Sequence, residues 1–308
     1  MKIVFFGTPE FAEFTLKTMV EAGHDVVAVV TTRDQMGGRG GKQLLESPVK
    51  KYALSGNIPV LQPAKLKEPS FIEQLKNYHA DVFIVVAFRM LPEIIWNMPP
   101  LGSYNLHGSL LPKYRGAAPI HWAVINGETE TGVTIFKLKH EIDTGDIIIQ
   151  EKMPIYKTDT TGDVHDRMKV LGAQTMVKAL TLIKNGPVFI QQNDAESSPA
   201  PKIFHEDCRI DFNKPANKVY DFIRGMNPYP SPWTIINGHE CKIIEAELTD
   251  DASEGRPGSI KTDQKKYLLI KTSDTCISVK KLKIAGKKEM TIQEFLTGNK
   301  IRELSVGN

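Results

Sequence analysis

Short apolar runs alternate with helix-like stretches through the first half of the chain, and this alternation restricts the possible folds more than any other feature. The runs that read as strands cover residues 2–6, 26–31, 58–61, 81–87 and 102–107. They are apolar over most of their length, as strands are when helices cover both faces of a parallel sheet. The pattern predicts the α/β class with a Rossmann-like parallel sheet.

Helix and loop signals fall between these runs. Thr8 reads as an N-cap with Pro9 at the first helical position, and Ser47 with Pro48 repeats the same signal. Residues 32–42 are rich in glycine and polar side chains, which predicts a mobile loop.

The chain has 308 residues, which is enough for two domains at about 150 residues each. We expect a first domain over 1–190, a linker of serine- and proline-rich composition over 191–206, and a second domain over 207–308. The second domain combines one predicted helix with short strands separated by turns, which is typical of a small β-barrel or a sandwich, and we expect a smaller C-terminal β-barrel that is OB-like. Its predicted strands cover residues 233–236, 240–246, 266–271 and 276–284.

Composition excludes several classes of protein. The longest apolar run covers 83–88, far below the ~18 residues that a spanning helix needs. The N-terminal run reads as a strand and not as a signal peptide. Cys208, Cys241 and Cys276 are too far apart for a paired disulfide framework or a Cys-x-x-Cys zinc site, so we expect a cytoplasmic protein.

The net charge of +3 says little, but its distribution is uneven. Residues 256–288 hold ten Lys or Arg against two acids, whereas residues 240–254 hold six acids against one lysine. The basic stretch is compatible with a face that binds nucleic acid. The alternative is a β-rich surface whose lysines protect exposed strand edges.

Two nucleotide-binding motifs fail on inspection. The Walker spacing that would end at Lys42 has Met36 in place of glycine and Gln43 in place of serine or threonine. The dinucleotide fingerprint fails because Pro9 stands where its second glycine belongs. We therefore expect the sheet to bind neither a nucleoside triphosphate nor a nicotinamide cofactor.

An amide and an imidazole share one face of a predicted strand where that strand ends. Asn105 and His107 are two residues apart, so their Cα atoms lie about 6.6 Å apart at a rise of ~3.3 Å per residue. Ligands of open α/β sheets bind outside the carboxyl ends of strands. The two side chains suit a carbonyl oxygen that becomes an oxyanion, although such a pair on its own is also compatible with a structural role.

Asp143 begins an Asp-Thr-Gly tripeptide and supplies a carboxylate. By itself the tripeptide also reads as an Asx-type turn between the strands predicted at 132–138 and 147–154. Aspartic proteases use the same tripeptide, but they need two copies and this chain has one.

Together these segments resemble the folate-dependent formyltransferases. Residues 105–112, 114–120, 132–135 and 142–146 match that family in order and spacing. Residues 6–11, 38–42, 47–50, 200–203, 209–212 and 227–230 resemble the branch that acts on methionyl-tRNA. The similarity spans nearly the whole chain and is weakest after residue 240, and Phe212 stands where the branch is expected to have tryptophan.

The resemblance implies transfer of a formyl group from 10-formyltetrahydrofolate to the α-amino group of methionyl initiator tRNA. It implies that Asn105 and His107 donate hydrogen bonds to the developing oxyanion, and that Asp143 orients His107 and relays a proton. Residues implied to line the folate site are Phe88, Arg89, Met90, Leu91, Ser109, Leu110, Leu111 and Pro112. Residues implied to contact tRNA are Arg39, Lys42, Lys202, Lys280, Lys281, Lys287 and Lys288.

We expect no metal ion, because the donors suffice to polarise the carbonyl and no cluster has the spacing of zinc ligands. We also expect a monomer. Two rival functions remain open at this stage: a formyltransferase that acts on a small amino-sugar or amino-nucleotide, and an RNA-binding protein whose folate site has decayed.

Overall fold

A computed structural model describes residues 1–37, 43–303 and 305–307. The chain forms two compact units, each built from separate segments of sequence. The first unit comprises Met1–Gly116, Gly132–Met153 and Asp166–Pro199. The second unit comprises Ala117–Thr131, Pro154–His165 and Ala200–Asn308. The arrangement differs from a contiguous division at residues 190 and 206, because two segments that precede residue 190 belong to the second unit.

The regular elements follow one another in the chain as strands and helices. The strands are β1 Lys2–Gly7, β2 Asp25–Val30, β3 Gln35–Gly37, β4 Gln43–Leu45, β5 Val60–Leu61, β6 Val82–Val86, β7 Ser103–His107, β8 Arg115–Gly116, β9 Glu130–Lys137, β10 Ile147–Pro154, β11 Pro199–Ala200, β12 Trp233–Ile236, β13 His239–Leu248, β14 Ile260–Thr262, β15 Leu268–Lys271, β16 Cys276–Ile284 and β17 Met290–Thr291. The helices are α1 Glu10–Glu21, α2 Pro48–Ser55, α3 Pro69–Asn77, α4 Glu93–Trp96, α5 Pro119–Ile125, α6 Thr161–Asn185, α7 Ala216–Gly225 and α8 Ile292–Gly298.

The first unit contains a large sheet with the strand order β10-β9-β7-β6-β1-β2-β5. The strands β7, β6, β1, β2 and β5 run parallel to one another, and β9 runs antiparallel to β7. Every residue of β6 is buried, and β1 is buried after its first residue. The predicted parallel α/β sheet is confirmed, and the continuous apolar runs are explained by burial of the central strands on both faces.

The strand order reverses at β1. The chain builds outward on one side through β2 and β5, and then continues on the other side with β6 and β7. The carboxyl ends of β1 and β6 therefore flank the position where ligands of such sheets bind. Gly7 permits the close packing there, because a Cβ atom on it would lie 2.7 Å from the Ala12 Cβ and 3.1 Å from the Val86 carbonyl oxygen.

The two predicted helix caps have different outcomes. Ser47 caps α2 as predicted, because its Oγ accepts a hydrogen bond from the Lys50 backbone N–H at 3.1 Å. The prediction that Thr8 caps α1 is wrong. Pro9 is the N-cap residue, with extended backbone at ψ 176°, and the Thr8 hydroxyl is buried without a hydrogen-bond partner in the described parts of the chain.

The segment predicted as a mobile loop over 32–42 contains regular structure. β3 and β4 form an antiparallel pair in which Gly37 lies opposite Gln43. Asp34, just before β3, accepts hydrogen bonds from Lys50 Nζ at 2.5 Å and Gln62 Nε2 at 2.8 Å, and these bonds hold the pKa of the Asp34 carboxyl below its usual value. The loop prediction is wrong for 35–37, while residues 38–42 lie outside the described residues.

The second unit contains an antiparallel sheet in the order β12-β13-β16-β15-β14, with β17 paired to β16. The sheet curls, and the C-terminal segment reaches both of its edges. Val306 N–H donates to the Gly258 carbonyl at 2.8 Å, and Gly307 N–H donates to the Ile235 carbonyl at 3.1 Å. The predicted β-barrel is confirmed as a curled antiparallel half-barrel, packed around an apolar core with α7 and α8 residues such as Ile223 and Phe295.

Two helices of the second unit carry information about its packing. α8 is missing from the sequence-based prediction, although Thr291 and Glu294 form the capping box that begins it. α5 packs against α7 at a glycine: a Cβ atom on Gly225 would lie 2.9 Å from the Ile125 nitrogen and 3.1 Å from its Cα. Among the helices that the structure describes, none is both long and apolar enough to cross a membrane.

Candidate active site

Asn105 and His107 lie at the carboxyl end of β7, on one face of the sheet. Asn105 pairs with Val85 of β6 and lies opposite Phe136 of β9. The intervening Leu106 points to the other face, where it packs near Gly172 of α6. The predicted strand therefore presents the amide and the imidazole on the same side. No hydrogen bond to the Asn105 side chain is formed within the described ranges, so its N–H groups are available to a ligand.

The buried His107 ring has a different partner at each nitrogen. Nε2 lies 2.9 Å from the Tyr114 carbonyl oxygen, and Nδ1 lies 3.7 Å from Asp143 Oδ2. A carbonyl oxygen only accepts hydrogen bonds, so Nε2 carries a hydrogen. In the neutral ring the lone pair is consequently on Nδ1, which faces the carboxylate.

Asp143 lies in the connection between β9 and β10 with a positive φ of 55°. Its Oδ2 accepts a hydrogen bond from the Gly116 backbone N–H at 2.9 Å. This partner is 27 residues distant in sequence, whereas an Asx-type turn would use an N–H about two residues further along. The geometry thus ties the carboxylate to the segment beside His107. Gly145 closes the same connection, where a Cβ atom would lie only 1.6 Å from the Lys137 carbonyl oxygen.

Gln192 and Arg115 join this group, and sequence reasoning assigned neither of them to the site. Gln192 Nε2 donates to the Asp143 carbonyl at 2.9 Å and to the Gly145 carbonyl at 2.7 Å. Its Oε1 accepts from Arg115. Gln192 lies in the segment expected to be a linker. Its side chain is buried and hydrogen-bonded, and the segment has no apolar periodicity that would predict this. Arg115 stood within the 114–120 motif, which was the available signal.

The predicted folate segment after β6 divides into packed and exposed residues. The Phe88 ring lies 5.8 Å from the Phe6 ring, and Leu91 belongs to the apolar core. The Arg89 guanidinium donates to the carbonyl oxygens of Pro63 and Ala64 at 2.7 and 3.2 Å. Met90 is 72% exposed, so it is the member of this segment most open to a ligand.

Side chains of β9 and β10 hold the predicted folate segment after β7. Ser109 is fully buried and its Oγ donates to the Lys113 carbonyl at 2.7 Å. Leu111 packs with Phe136 and Ile147 in a small apolar cluster. Ser109 and Leu111 thus shape the loop, and half-buried Leu110 and Pro112 are left with surface that a ligand can reach.

The residues expected to contact tRNA are dispersed. Arg39 and Lys42 lie outside the described residues. In the second unit, Lys202 Nζ lies 5.2 Å from the centre of the Phe204 ring. The remaining four lysines are associated with β16 and the turn after it.

Those four lysines differ in their ion pairs. Lys280 Nζ pairs with Glu247 and Lys281 Nζ with Glu245, both at 2.7 Å. Lys287 and Lys288 are exposed in the turn that follows β16. Because β13 and β16 are neighbours, the acidic window and the basic window of the sequence partly neutralise each other.

Among the residues that the structure describes, no group of three or more His, Cys, Asp or Glu is arranged to hold a metal ion. The chemical groups assembled here are therefore an open amide donor, an imidazole with a defined tautomer and a carboxylate beside it. Such a set can stabilise a developing oxyanion and move a proton.

Two protein families match the chain. The formyl transferase family matches residues 1–180, and the formyl transferase C-terminal domain family matches residues 202–300. The methionyl-tRNA formyltransferase of Bacteroides thetaiotaomicron is 49% identical, covering 98% of this chain and 97% of that protein. The enzyme of the same name from Parabacteroides distasonis is also 49% identical, covering 100% of this chain and 98% of that protein.

Solved structures share the fold at lower identity. The sugar 3N-formyl transferase WlaRD, crystallised in the presence of dTDP and 5-N-formyl-THF, has a TM-score of 0.67 and 23% identity, covering 94% of this chain and 99% of that one. HypX from Aquifex aeolicus in complex with tetrahydrofolic acid has a TM-score of 0.65 and 17% identity, covering 96% of this chain and 47% of that one. The matched family models and the near-full-length identity to the two relatives show that this chain belongs to the formyl transferase family.

Proposed function

We propose that the protein is a methionyl-tRNA formyltransferase: it transfers the formyl group of 10-formyltetrahydrofolate to the α-amino group of methionyl initiator tRNA. The observation that carries this proposal is the open Asn105 amide beside the His107 and Asp143 pair at the end of β7. The identity of 49% to enzymes of that name over nearly the full length selects the tRNA substrate over an amino-sugar.

The reaction is acyl transfer to nitrogen, and it sets two requirements. The attacking amine must be neutral, and an α-amino group titrates near pH 7.7–8.0, so roughly a tenth or more of it is already neutral around pH 7. The oxygen of the formyl group must be stabilised as it gains charge. 10-Formyltetrahydrofolate supplies the formyl carbon as an activated acyl group. We assign the stabilisation of this oxygen to the N–H groups of the Asn105 side chain.

We assign His107 Nδ1 as the acceptor of the proton that the attacking nitrogen loses. The bond from Nε2–H to the Tyr114 carbonyl leaves the Nδ1 lone pair as the acceptor in the neutral ring. When Nδ1 takes the proton of the attacking nitrogen, the imidazolium faces the Asp143 carboxylate, which stabilises its charge. The imidazolium can also donate from Nδ1 to the oxyanion or return the proton to the departing nitrogen. The expected roles of His107 as second donor and of Asp143 as orienting group are compatible with this geometry.

We place the folate against the segments that follow β6 and β7. These strands are adjacent and parallel, so their carboxyl ends meet at one edge of the sheet. Met90, Leu110 and Pro112 offer apolar surface suited to a flat pterin ring. Phe88, Arg89, Leu91, Ser109 and Leu111 hold the shape of the two segments. No metal ion takes part in this proposal.

We propose that tRNA is held by Arg39, Lys42, Lys202, Lys287 and Lys288, with a smaller contribution from Lys280 and Lys281 because these two are paired to glutamates. We further propose that the protein acts as a monomer in the cytoplasm. The three buried, unpaired cysteines support a reducing compartment.

The test is a direct formylation assay with the purified protein and 10-formyltetrahydrofolate. The acceptors are methionine-charged initiator tRNA, methionine-charged elongator tRNA and a nucleotide-linked amino-sugar. We expect formylmethionine on the initiator tRNA at a kcat/KM at least about a hundredfold above that on the other two. Faster transfer to the amino-sugar would overturn the proposal, and so would no transfer to any acceptor while tRNA still binds.

A further inference from the structure

The side-chain amide of Gln192 makes every hydrogen bond that an amide can make. Nε2 donates to the carbonyl oxygens of Asp143 and Gly145. Oε1 accepts from Arg115 Nε at 3.1 Å and from Arg115 Nη2 at 2.7 Å. Carbonyl oxygens only accept and a guanidinium only donates, so the orientation of the amide is fixed by its partners. Gln192 is 8% exposed, so water is poorly placed to substitute for it.

The backbone that Gln192 holds adopts a conformation that side chains and neighbouring backbone restrict closely. Asp143 adopts a positive φ of 55°, which L-residues rarely adopt. Gly145 passes so close to the Lys137 carbonyl that no side chain fits. A single amide bonds the first and the third residue of this turn. Loss of its N–H groups would leave the carbonyl oxygens of both residues without this donor.

Arg115 connects the same amide to the segment that holds the reacting groups. On one side of Arg115, the Tyr114 carbonyl accepts from His107 Nε2. On its other side, the Gly116 N–H donates to the Asp143 carboxylate. The main chain of Asp143 is therefore tied through Gln192 to the segment that also binds its side chain and the imidazole. The separation of 3.7 Å between Nδ1 and Oδ2 depends on this closed set of contacts.

We propose that Gln192 is a positioning residue for formyl transfer, which acts by fixing the Asp143 carboxylate opposite His107 Nδ1. The inference rests on the formyl-transfer function proposed above. The Gln192 amide bonds to main-chain carbonyl oxygens and to Arg115, and it acts on the Asp143 carboxylate only through them. A displacement of about 1 Å in a group that reacts or stabilises charge can lower a rate by about a hundredfold, so the effect of losing this support is measurable.

The first experiment measures steady-state kinetics on initiator tRNA. Gln192→Met keeps a similar volume and removes both donors and the acceptor, and Gln192→Glu keeps the acceptor for Arg115 and removes both donors. We expect kcat to fall at least about tenfold in each, with KM for tRNA and folate changed less than twofold. Gln191→Met is the matched control, because the adjacent Gln191 is exposed, and it should match the wild type.

A double-mutant cycle separates positioning from general stabilisation. Once Asp143→Asn has removed the carboxylate, adding Gln192→Met should lower kcat by less than about twofold further. A merely structural role for Gln192 would lower kcat by its full factor in both backgrounds, and that result would overturn the inference. Wild-type kcat in the same assay tests the proposed function separately.

A spectroscopic readout keeps the inference testable if the variants are inactive or if the wild type fails to formylate. The ¹⁵N resonances of His107 are recorded in wild type, Gln192→Glu and Gln191→Met at fixed pH. We expect the Nδ1 signal to move in Gln192→Glu and the Nε2 signal, bonded to Tyr114, to stay in place. Unchanged Nδ1 in a folded Gln192→Glu protein would contradict the proposed link to Asp143.

Discussion

The two ring nitrogens of His107 meet different partners, and this difference decides what the ring can do. The bond from Nε2 to the Tyr114 carbonyl selects one neutral tautomer and fixes the plane of the ring. Nδ1, which faces Asp143, is therefore the ring nitrogen that can accept a proton. Asn105 has the complementary property, because its amide carries N–H groups that no described residue engages. A permanent donor and a proton acceptor thus stand two residues apart on one strand.

The Asn105 amide gives the first prediction at this scale. Asn105→Ala removes a neutral donor aimed at the position where charge develops, and the loss of one such donor costs about 10²–10³ in kcat. KM for folate should change little, because the amide is assigned to the transition state. Stopped-time formylation assays on charged initiator tRNA measure the effect. A folded Asn105→Ala protein with wild-type kcat would exclude the oxyanion role.

The Asp143 carboxylate gives a second prediction. Asp143→Asn keeps an oxygen that can accept from Gly116 N–H but removes the negative charge opposite the imidazole. We expect kcat to fall by at least about a hundredfold, while the circular dichroism spectrum stays that of the wild-type fold. Retention of wild-type kcat would favour the interpretation of Asp143 as a turn residue only.

At the residue scale, sequence reasoning reached the groups whose positions follow from strand geometry. Period-two alternation was enough to put Asn105 and His107 on one face, and the ordered strand β7 bears this out. It did not reach Gln192, because that residue acts through side-chain hydrogen bonds from a segment with linker composition. It also could not separate exposed Met90 from buried Leu111 within the folate segments, since both are apolar.

At the scale of elements, strand pairing determines which charged side chains of the second unit form ion pairs. Glu245 of β13 lies directly opposite Lys281 of β16, and Glu247 reaches Lys280. The two windows follow one another in the sequence, and the basic window by itself was compatible with a basic face. Pairing brings them together, whereas Lys287 and Lys288 lie exposed in the turn beyond β16.

This pairing predicts unequal effects of two matched double substitutions. Replacing Lys287 and Lys288 with Ala should weaken tRNA binding and make the slope of log affinity against log salt shallower by up to about two units. Replacing Lys280 and Lys281 with Ala should change the slope by less than half as much, because Glu245 and Glu247 already neutralise these lysines. Filter binding at several salt concentrations measures both. Equal slopes for the two variants would show that the ion pairs do not reduce RNA contact.

The crossing of α5 and α7 predicts the outcome of a glycine substitution. A Cβ atom on Gly225 would meet the Ile125 nitrogen at 2.9 Å, and a backbone atom cannot rotate away as a side chain can. Gly225→Ala should lower the free energy of unfolding of the second unit by about 1–3 kcal/mol. Gly298→Ala is the control, because a Cβ atom there meets nothing within 4 Å, and its effect should stay within about 0.5 kcal/mol. Urea unfolding followed by tryptophan fluorescence compares them, and equal midpoints would contradict the close packing.

Elements were predictable where apolar periodicity or cap chemistry is strong. The strands β6, β7 and β16 fall close to their predicted bounds. β3 and β4 were missed because their pairing depends on backbone hydrogen bonds in a polar, glycine-rich stretch. α8 was missed although its capping box is written in the sequence at Thr291 and Glu294.

At the scale of the whole molecule, each compact unit draws on separate stretches of the chain. α5 and residues 154–165 precede the segment expected as a linker, yet they belong to the second unit. There the Thr161 hydroxyl donates to the Gly225 carbonyl at 2.7 Å, and Arg224 Nη1 donates to the Asp159 carbonyl at 3.0 Å. Periodicity identifies a helix and its apolar face but does not say which core receives that face, so a contiguous boundary was the simplest expectation.

This interleaving predicts how a shortened chain behaves. A chain of residues 1–190 keeps α5 but loses α7, so Ala123 and Val124, fully buried in the intact protein, lose part of the second unit around them. It also loses Gln192 and with it the support of the Asp143 turn. We expect it to bind a hydrophobic dye and to unfold without a sharp transition, and co-expression with residues 191–308 should restore a cooperative transition. Cooperative unfolding of the 1–190 chain alone, with no dye binding, would instead support a contiguous first domain that ends near residue 190.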